Sequence, residues 1–330
     1  MYTILGIRSV AMGAVLAVAA MVALACSGGS DGGSSDTVKL GTLRQPHLHA
    51  PSFYQDFMPE GAKVEITYFA NSTEIKNAVI KGDIDFAVTG ITAALEGAAQ
   101  NEPIRVLAAA ADGGSVIVAR TDRDINSVQD LRGKKIGYVA GSAQDILLRL
   151  TLQGAGLNAA SDVELIRIGF ADMANALERG DIDAFAGAET GPSDAIVRGN
   201  AKALVYPYET PMRKINIIFA TSQKMIDDNP DLVATMVEVH AKATDYLMAN
   251  PDVWGKSVVD SFGFEPESLN LAIKNITLRW QIDDAYIAQT RILGEQLRQL
   301  QQIRSEPNYE AFFNTTFVDD VMREAVSDGR

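Results

Sequence analysis

The string AVIKGDID at residues 78–85 returns as ALERGDID at residues 176–183. Each copy carries helix-forming residues up to a glycine, followed by Asp-Ile-Asp and an apolar run. Glycine often ends a helix because it adopts the left-handed backbone conformation at little cost. A chance recurrence of a common helix–glycine–strand unit is the alternative, but the shared string predicts two similarly built α/β units.

The residues around the first copy alternate between strand and helix patterns. Short apolar or alternating segments predict strands, and segments with capping residues predict helices. Asn71, with Glu74 three residues later, is an N-cap and capping-box signature. The predicted strands are residues 38–43, 64–69, 84–88 and 104–111, and the predicted helices are residues 72–80 and 92–99.

The same order restarts around the second copy. Ser142 with Asp145 predicts another helix N-terminus, and that helix runs to about residue 153. The remaining predicted elements are strands at residues 136–139, 163–168 and 182–185 and a helix at residues 172–179. This alternation predicts an α/β fold with mostly parallel sheets and helices on both faces.

The last part of the chain changes to a helical pattern. One more strand, at residues 215–220, precedes predicted helices at residues 230–248, 251–262, 266–277 and 283–300. Proline stands in the first turn of the first three helices, where its missing N–H costs nothing. Asn229, Asn250 and Glu265 precede these prolines as predicted caps. We expect this helical extension to pack around the first α/β unit.

Composition excludes several classes of protein. The 330 residues carry 42 acidic and 29 basic side chains, a formal charge of −13. Nucleic-acid binding needs a basic surface, so this balance argues against it. Hydrophobic residues make up 47% of the chain, which is enough for a full core and excludes disorder of the whole chain. The single cysteine permits no intramolecular disulfide and no cysteine-based zinc site.

The N-terminus has the layout of a secretory leader. Arg8 is the only charge in residues 1–30, and residues 9–25 are uncharged and mostly apolar. Residues 22–26 (VALAC) resemble a bacterial lipobox, although Ala23 stands where that motif prefers leucine. We therefore expect residues 1–25 to be a signal peptide, Cys26 to be lipidated, and the SGGSDGGSSD stretch at 27–36 to be a flexible tether. An uncleaved membrane anchor is the alternative.

Three longer strings, together with the leader, resemble one family. They are LRGKKIGYVAGS (131–142), ALERGDID (176–183) and NPDLVATMVEVHAKATDYLMANPD (229–252). They are similar to the substrate-binding proteins of ABC importers, in the nitrate/sulfonate/bicarbonate and pyrimidine-precursor group, here in lipoprotein form. The resemblance implies a type II periplasmic-binding fold that closes over ligand by hinge motion. Lobe one would comprise residues 37–115 and 216–330 and lobe two residues 116–215, with hinge crossovers near 113–115 and 207–214.

Ligands of open α/β sheets bind beyond the carboxyl ends of strands, where helix N-termini suit anionic groups. The loop after the first strand holds Arg44, Gln45, His47 and His49, which are candidate ligand contacts. Alternatively, Arg44 is solvated and the histidines bond local backbone. A metal site would need a third ligand, and only His240 remains, so we expect no metal.

Further candidates follow other predicted strands. Asn71, Thr89 and Gly90 belong to the first unit, and Ser142, Gln144 and Phe170 belong to the second. Capping alone explains Asn71, and core packing is the ordinary role of an aromatic side chain such as Phe170.

Glu189 follows the strand at residues 182–185 and complicates the choice of ligand. A carboxylate there opposes a simple anion such as nitrate and suits a ligand that offers hydrogen-bond donors, such as an aminopyrimidine or an aminosulfonate. The alternative is that Glu189 points to solvent or pairs with Arg213.

The expected function is extracytoplasmic solute capture rather than catalysis. The chain has no P-loop or GxGxxG motif, and the cysteine-rich segment of the related pyrimidine-synthesising branch is absent. We expect a membrane-anchored monomer that binds a small molecule, delivers it to ABC permease subunits, and uses no cofactor. The alternatives are an enzyme or a sensor receptor on the same scaffold that binds an aromatic heterocycle or an amine.

Overall fold

The computed structural model describes residues 37–327. The expected signal peptide, Cys26 and the tether lie outside these residues. The strands are β1 (Thr37–Thr42), β2 (Lys63–Tyr68), β3 (Phe86–Gly90), β4 (Ile104–Gly113), β5 (Ser115–Arg120), β6 (Lys135–Tyr138), β7 (Glu164–Arg167), β8 (Ala184–Ala188), β9 (Ala201–Val205), β10 (Ile215–Ser222) and β11 (Ile276–Leu278).

Helices follow most of these strands. They are α1 (Ser72–Lys81), α2 (Ile91–Ala99), α3 (Ala143–Gly154), α4 (Met173–Arg179), α5 (Gly191–Val197), α6 (Gln223–Asp228), α7 (Pro230–Ala249), α8 (Pro251–Phe262), α9 (Pro266–Ala272), α10 (Asp284–Gln299), α11 (Tyr309–Phe312) and α12 (Thr316–Ser327). Short 3₁₀ helices at Pro46–Leu48 and Ala50–Phe57 connect β1 to β2. None of the helices in residues 37–327 combines the length and apolarity needed to cross a membrane.

The strands form two mixed sheets, which confirms the α/β class. The first sheet has six strands in the order β11-β4-β10-β3-β1-β2, and the second has five in the order β7-β6-β8-β5-β9. The chain passes from the first sheet to the second between Gly113 and Ser115, and it returns between Val205 and Ile215.

The prediction of mostly parallel sheets is wrong. β10 runs antiparallel to both β3 and β4, β11 is antiparallel to β4, and β5 is antiparallel to both β8 and β9. Only the β1–β2, β1–β3, β6–β7 and β6–β8 pairs are parallel. For β5 and β10 the reason lies in the crossovers. A strand that enters directly from the other sheet has no helix to carry the chain back along the sheet. It therefore starts beside the carboxyl ends of its neighbours and runs antiparallel to them.

The two copies of the repeated string adopt the same local structure. Gly82 and Gly180 end α1 and α4 in the left-handed conformation, with φ of 80° and 83°. In each copy the last aspartate joins the neighbouring strand: Asp85 accepts a hydrogen bond from the Lys39 N–H at 2.8 Å, and Asp183 accepts one from the Lys135 N–H at 3.0 Å. The string therefore encodes a helix stop and a strand pairing together.

The predicted caps divide into two groups. Asn71 accepts from the Glu74 N–H and Ser142 accepts from the Asp145 N–H, which confirms both N-caps. Asn229, Asn250 and Glu265 precede helices as predicted, but none of their side chains makes a capping hydrogen bond.

Several segments differ from the sequence prediction. The predicted helix at 266–277 ends at Ala272, because Ile276 and Leu278 are buried in β11, the edge strand that pairs with β4. The sequence pattern predicts no element for the residues that form β5, α5 and β9. The Gly-Pro start of α5 resembles a turn, and β5 comes directly after two glycines.

Both faces of the second sheet are covered by helices. Side chains alternate along β5: Val116 and Val118 pack with α4 and α5, whereas Ile117 and Ala119 pack with α3. The first sheet lies in a larger core that also takes up residues from α7, α8 and α10.

Candidate functional site

A cavity of about 740 Å³ lies where strand ends of both sheets meet. The first sheet contributes the residues that follow β1 and β2, and the second contributes those that follow β7 and β8. The corner between α8 and α9 completes the wall. This placement agrees with the rule that α/β proteins bind ligands beyond the carboxyl ends of strands.

Four of the eleven candidate residues line this cavity: Arg44, Gln45, Phe170 and Glu189. Arg44 is exposed, and its guanidinium carbon lies 5.3 Å from the centre of the Tyr68 ring. Among the described cavity residues with a positive charge, Arg44 has no carboxylate partner, whereas Arg198 is paired with Asp194 at 2.8 Å. Arg44 therefore offers a cation that a ligand can use.

Glu189 is buried in the cavity wall, with 1% of its surface exposed. Its Oε2 accepts hydrogen bonds from the Ser193 hydroxyl at 2.8 Å and the Ser193 N–H at 3.3 Å, and Oε1 accepts from Asn275 Nδ2 at 3.4 Å. Burial raises the pKa of Glu189 above its ordinary value, although these hydrogen bonds oppose the rise. Glu189 therefore neither points to solvent nor pairs with Arg213, so both alternatives are wrong.

Aromatic side chains form much of the remaining wall. They are Tyr68, Phe69, Phe170, Phe262 and Phe264, all partly buried. The Tyr68 and Phe262 rings meet edge to face with centroids 5.6 Å apart. The cavity therefore suits a ligand with an apolar or aromatic body as well as polar groups.

The three histidines lie outside this cavity and are buried. His49 Nε2 bonds the Ser257 hydroxyl at 2.9 Å, and burial lowers the pKa of His49 to about 4. His47 packs against Gly114 at the crossover, and burial lowers its pKa to about 3. His240 bonds Tyr54 and the Ala109 carbonyl instead. In residues 37–327, no three His, Cys, Asp or Glu side chains are grouped as a metal site.

The structure places the other candidates away from the cavity lining, with their polar groups bonded within the protein. Asn71 caps α1, Thr89 donates to the Ser72 carbonyl, and the Gly90 N–H donates to the Ser72 hydroxyl. Ser142 caps α3 and donates to the Val139 carbonyl at 2.7 Å, while Gln144 Nε2 donates to the Ser115 hydroxyl at 2.9 Å. A role of these residues in ligand contact stays a prediction.

Sequence reasoning missed Ser193 and Asn275, which hold Glu189, and Phe262 and Phe264 in the wall. Ser193 stands four residues after Glu189, a spacing that brings side chains together at the start of a helix. This spacing is the one feature of the sequence that could have indicated Ser193. Nothing in the local sequence connects the others to this cavity, because they come from elements far along the chain.

Comparison with known proteins identifies the family and the fold of this chain. The sequence model of the family described as NMT1/THI5 like matches residues 53–253. A Brucella abortus protein named as a binding protein is 28% identical over 218 residues, which cover 64% of this chain and 67% of that protein. A Bacillus subtilis protein named as an aliphatic sulfonates-binding protein is 24% identical over 329 residues, 96% of this chain and 98% of that protein.

An enzyme is also among the relatives. The 4-amino-5-hydroxymethyl-2-methylpyrimidine phosphate synthase of Aspergillus parasiticus is 24% identical over 230 residues, 64% of this chain and 66% of that protein.

Solved structures agree on the fold. The alkanesulfonate-binding protein SsuA of Xanthomonas axonopodis pv. citri, bound to MOPS, aligns with a TM-score of 0.75 at 16% identity, covering 85% of this chain and 98% of that one. The periplasmic aliphatic sulphonate binding protein SsuA of Escherichia coli aligns with a TM-score of 0.71 at 15% identity, covering 85% and 93%. Since the family match spans more than half of the sequence, the chain belongs to the NMT1/THI5-like family and has the fold of periplasmic binding proteins.

Proposed function

We propose that this protein is an extracytoplasmic solute receptor that captures a small polar organic or oxyanion ligand and delivers it to an ABC permease. The observation that carries the proposal is the cavity between the strand ends of two sheets, with Arg44 on one side and Glu189 on the other. The names of relatives that bind aliphatic sulfonates support it.

Capture would occur by closure of two lobes. The first would comprise residues 37–115 and 216–330, and the second residues 116–215. The strands divide between the two sheets within one residue of these bounds, and the chain crosses between the sheets at Gly114 and at residues 206–214. Two crossovers side by side form the kind of hinge that absorbs domain closure. Only a ligand that stabilises the closed state would be retained.

The cavity suggests a ligand with two kinds of polar group. Arg44 would bind an oxyanion such as a sulfonate, because a guanidinium donates paired hydrogen bonds to such groups. Glu189 would accept a hydrogen bond from an N–H group or an ammonium of the same ligand. The aromatic side chains, Tyr68 and Phe170 among them, would cover its carbon skeleton. An aminoalkanesulfonate has all three features.

A thermal-shift panel tests the proposal. It would contain nitrate, bicarbonate, alkanesulfonates, taurine, hydroxymethylpyrimidine, riboflavin and betaines. A ligand at one hundred times its Kd adds about 2.7 kcal/mol to the free energy of unfolding, which raises Tm measurably. Ethanesulfonate and taurine form a matched pair that differs in the amino group, and we expect the larger shift with taurine. Solute capture of this class is rejected if no member of the panel raises Tm.

The second candidate function is an enzyme on the same scaffold, and the synthase among the relatives favours including it. The described cavity lining contains no His, Cys or Lys side chain, which supports binding rather than catalysis. The two functions differ in what happens to the ligand. Mass spectrometry after prolonged incubation should recover a bound solute unchanged if the protein is a receptor, whereas a converted product would establish the enzyme.

The N-terminus would export and anchor the receptor. Residues 1–25 would be cleaved, and a lipid on Cys26 would hold the receptor body at the membrane through the 27–36 tether. Cys26→Ser should move the protein from the membrane fraction to the soluble extracytoplasmic fraction. Unchanged membrane association of this variant would reject lipidation at Cys26.

A further inference from the structure

Helix α3 packs against both sheets at once. Leu148 and Leu152 belong to the core of the second sheet, whereas Ile146, Leu147 and Leu150 belong to the core of the first. The turn before α3 lies on α2 of the first sheet, where the Thr92 hydroxyl donates to the Gly141 carbonyl at 3.0 Å. This contact between α2 and α3 involves no residue that lines the 740 Å³ cavity.

Glu96 lies in this contact, one turn along α2 from Thr92. A methyl group placed on Gly141 would lie 3.4 Å from each carboxylate oxygen of Glu96, so the carboxylate touches the turn that starts α3. The side chain is half-buried. Among residues 37–327, no group donates a hydrogen bond to this carboxylate, so its ionised form is poorly compensated there.

The two charged groups that act most on Glu96 are bonded elsewhere. On α3, Asp145 accepts from the Gly141 N–H at 3.1 Å and from Arg149 at 2.7 Å. On α1, Lys76 is ion-paired with Glu102. The exposed Arg304 follows α10. Together with Glu96 it lines a second cavity, which has a volume of about 350 Å³. Within the described residues, Glu96 therefore faces the Asp145 carboxylate, and neither Lys76 nor Arg304 is ion-paired with it.

These surroundings disfavour the ionised form. Burial raises the pKa of Glu96 to about 7; the charge of Lys76 opposes this rise, and that of Asp145 adds to it. An exposed glutamate has an ordinary pKa near 4.5.

We propose that Glu96 makes the contact between α2 and α3 proton-dependent, so that its protonated form holds the two lobes together and its ionised form favours their separation. This inference rests on the proposed function in one respect, because it requires lobes that move. Glu96 binds its proton more tightly when the lobes are in contact than when they are separated. The closed state is therefore favoured at low pH, and this advantage is lost as pH rises through about 7.

Hydrogen exchange on the full chain without ligand tests the proposal. Protection of the Gly141, Asp145 and Ile146 amides, which donate to Asp145 and Ser142 beside this contact, should fall by up to about tenfold between about pH 6 and about pH 8 after correction for intrinsic exchange. Glu96→Gln should keep its pH 6 protection at pH 8, because the amide cannot ionise. Glu60→Gln, a matched change at an exposed position, should behave like the unchanged protein. Equal protection at both pH values, or an unchanged pH response in Glu96→Gln, overturns the proposal.

A second measurement does not depend on the variant folding. Carboxyl NMR of the unchanged protein should give Glu96 a midpoint near 7, and a midpoint near 4.5 would also overturn the proposal. Since no ligand is used, this result is independent of the solute panel. A flat pH response leaves solute capture intact, and a panel without a ligand leaves the proton-dependent contact intact.

Discussion

Arg44 and Glu189 face one cavity from different sheets, and their environments differ. Arg44 is exposed beside Tyr68, so in the absence of ligand its charge is solvated and contributes little to stability. Glu189 is buried and held by Ser193 and Asn275. Closure of the lobes would remove water from Arg44 and strengthen its attraction to an anion. The strength of that interaction is thus a property of the closed, liganded state.

Arg44→Ala should weaken binding of any ligand in the panel that carries an oxyanion. A hydrogen bond to a charged group contributes about 1.5–3 kcal/mol, so Kd should rise roughly tenfold to a hundredfold in isothermal titration calorimetry. Arg44→Lys is the matched variant, because it keeps the charge and loses the planar pair of donors.

The Kd of Arg44→Lys should lie between that of the unchanged protein and that of Arg44→Ala. An oxyanion ligand that binds Arg44→Ala as tightly as the unchanged protein would remove Arg44 from the site.

Part of this site follows from the sequence alone. Arg44, Phe170 and Glu189 are predictable because they stand in loops that follow predicted strands, where α/β proteins place ligands. Asn71 and Ser142 follow strands too, but as helix caps they bond their own helices. Position along a strand predicts which end of the sheet a residue occupies. It does not predict whether its polar group is already bonded.

At the scale of elements, the repeated string sets a helix end and a strand start in each sheet. Asp83 and Asp181 donate their backbone N–H groups to the Ala78 and Ala176 carbonyls, each at 3.0 Å, closing the same six-residue loop. The two glycines have nearly equal φ but different neighbours. Nothing lies within 4 Å of a methyl group placed on Gly82, whereas one on Gly180 would lie 2.7 Å from Arg120 Nη1.

This difference makes Gly82→Ala and Gly180→Ala a matched pair. Both should lower the free energy of unfolding in urea by about 1 kcal/mol, because alanine is strained in the left-handed conformation. Gly180→Ala should cost about 1 kcal/mol more, since it displaces Arg120 from its 2.8 Å hydrogen bond to the Leu177 carbonyl.

Gly154→Ala, inside α3 with open space around it, should leave stability unchanged or raise it slightly. Equal losses for Gly82→Ala and Gly180→Ala would show that the Arg120 bond contributes nothing.

The elements were more predictable than their arrangement. Helices such as α8 have the predicted bounds, because proline starts the helix and a glycine follows its end. β3 and β8 begin two residues later than predicted, since Asp85 and Asp183 occupy the turn before each strand. Strand direction could not be derived, because it depends on where the chain crosses between sheets. β11 became a strand only because the edge of β4 was available to it.

For the whole molecule, the three histidines make stability depend on pH. His47, His49 and His240 are all buried, and burial lowers their pKa values to about 3, about 4 and about 4. Below their ordinary pKa of 6.5, the unfolded chain takes up protons that the folded chain does not. Stability is therefore lost as pH falls from about 6.5 toward 4. Glu96 acts in the opposite direction, because its pKa is raised.

The three histidines should lower the free energy of unfolding at about pH 5.5 relative to about pH 7.5, and the raised pKa values of Glu96 and Glu189 should offset part of this loss. His49→Gln removes one titrating group and should reduce this difference by about 1 kcal/mol in urea unfolding at the two pH values. Ser52→Ala is the matched control, since it removes the 3.3 Å contact with His49 Nδ1 without removing a titrating group. It should lower stability similarly at both pH values. If His49→Gln instead responds to pH as the unchanged protein does, His49 accepts a proton in the folded state and is not held neutral by burial.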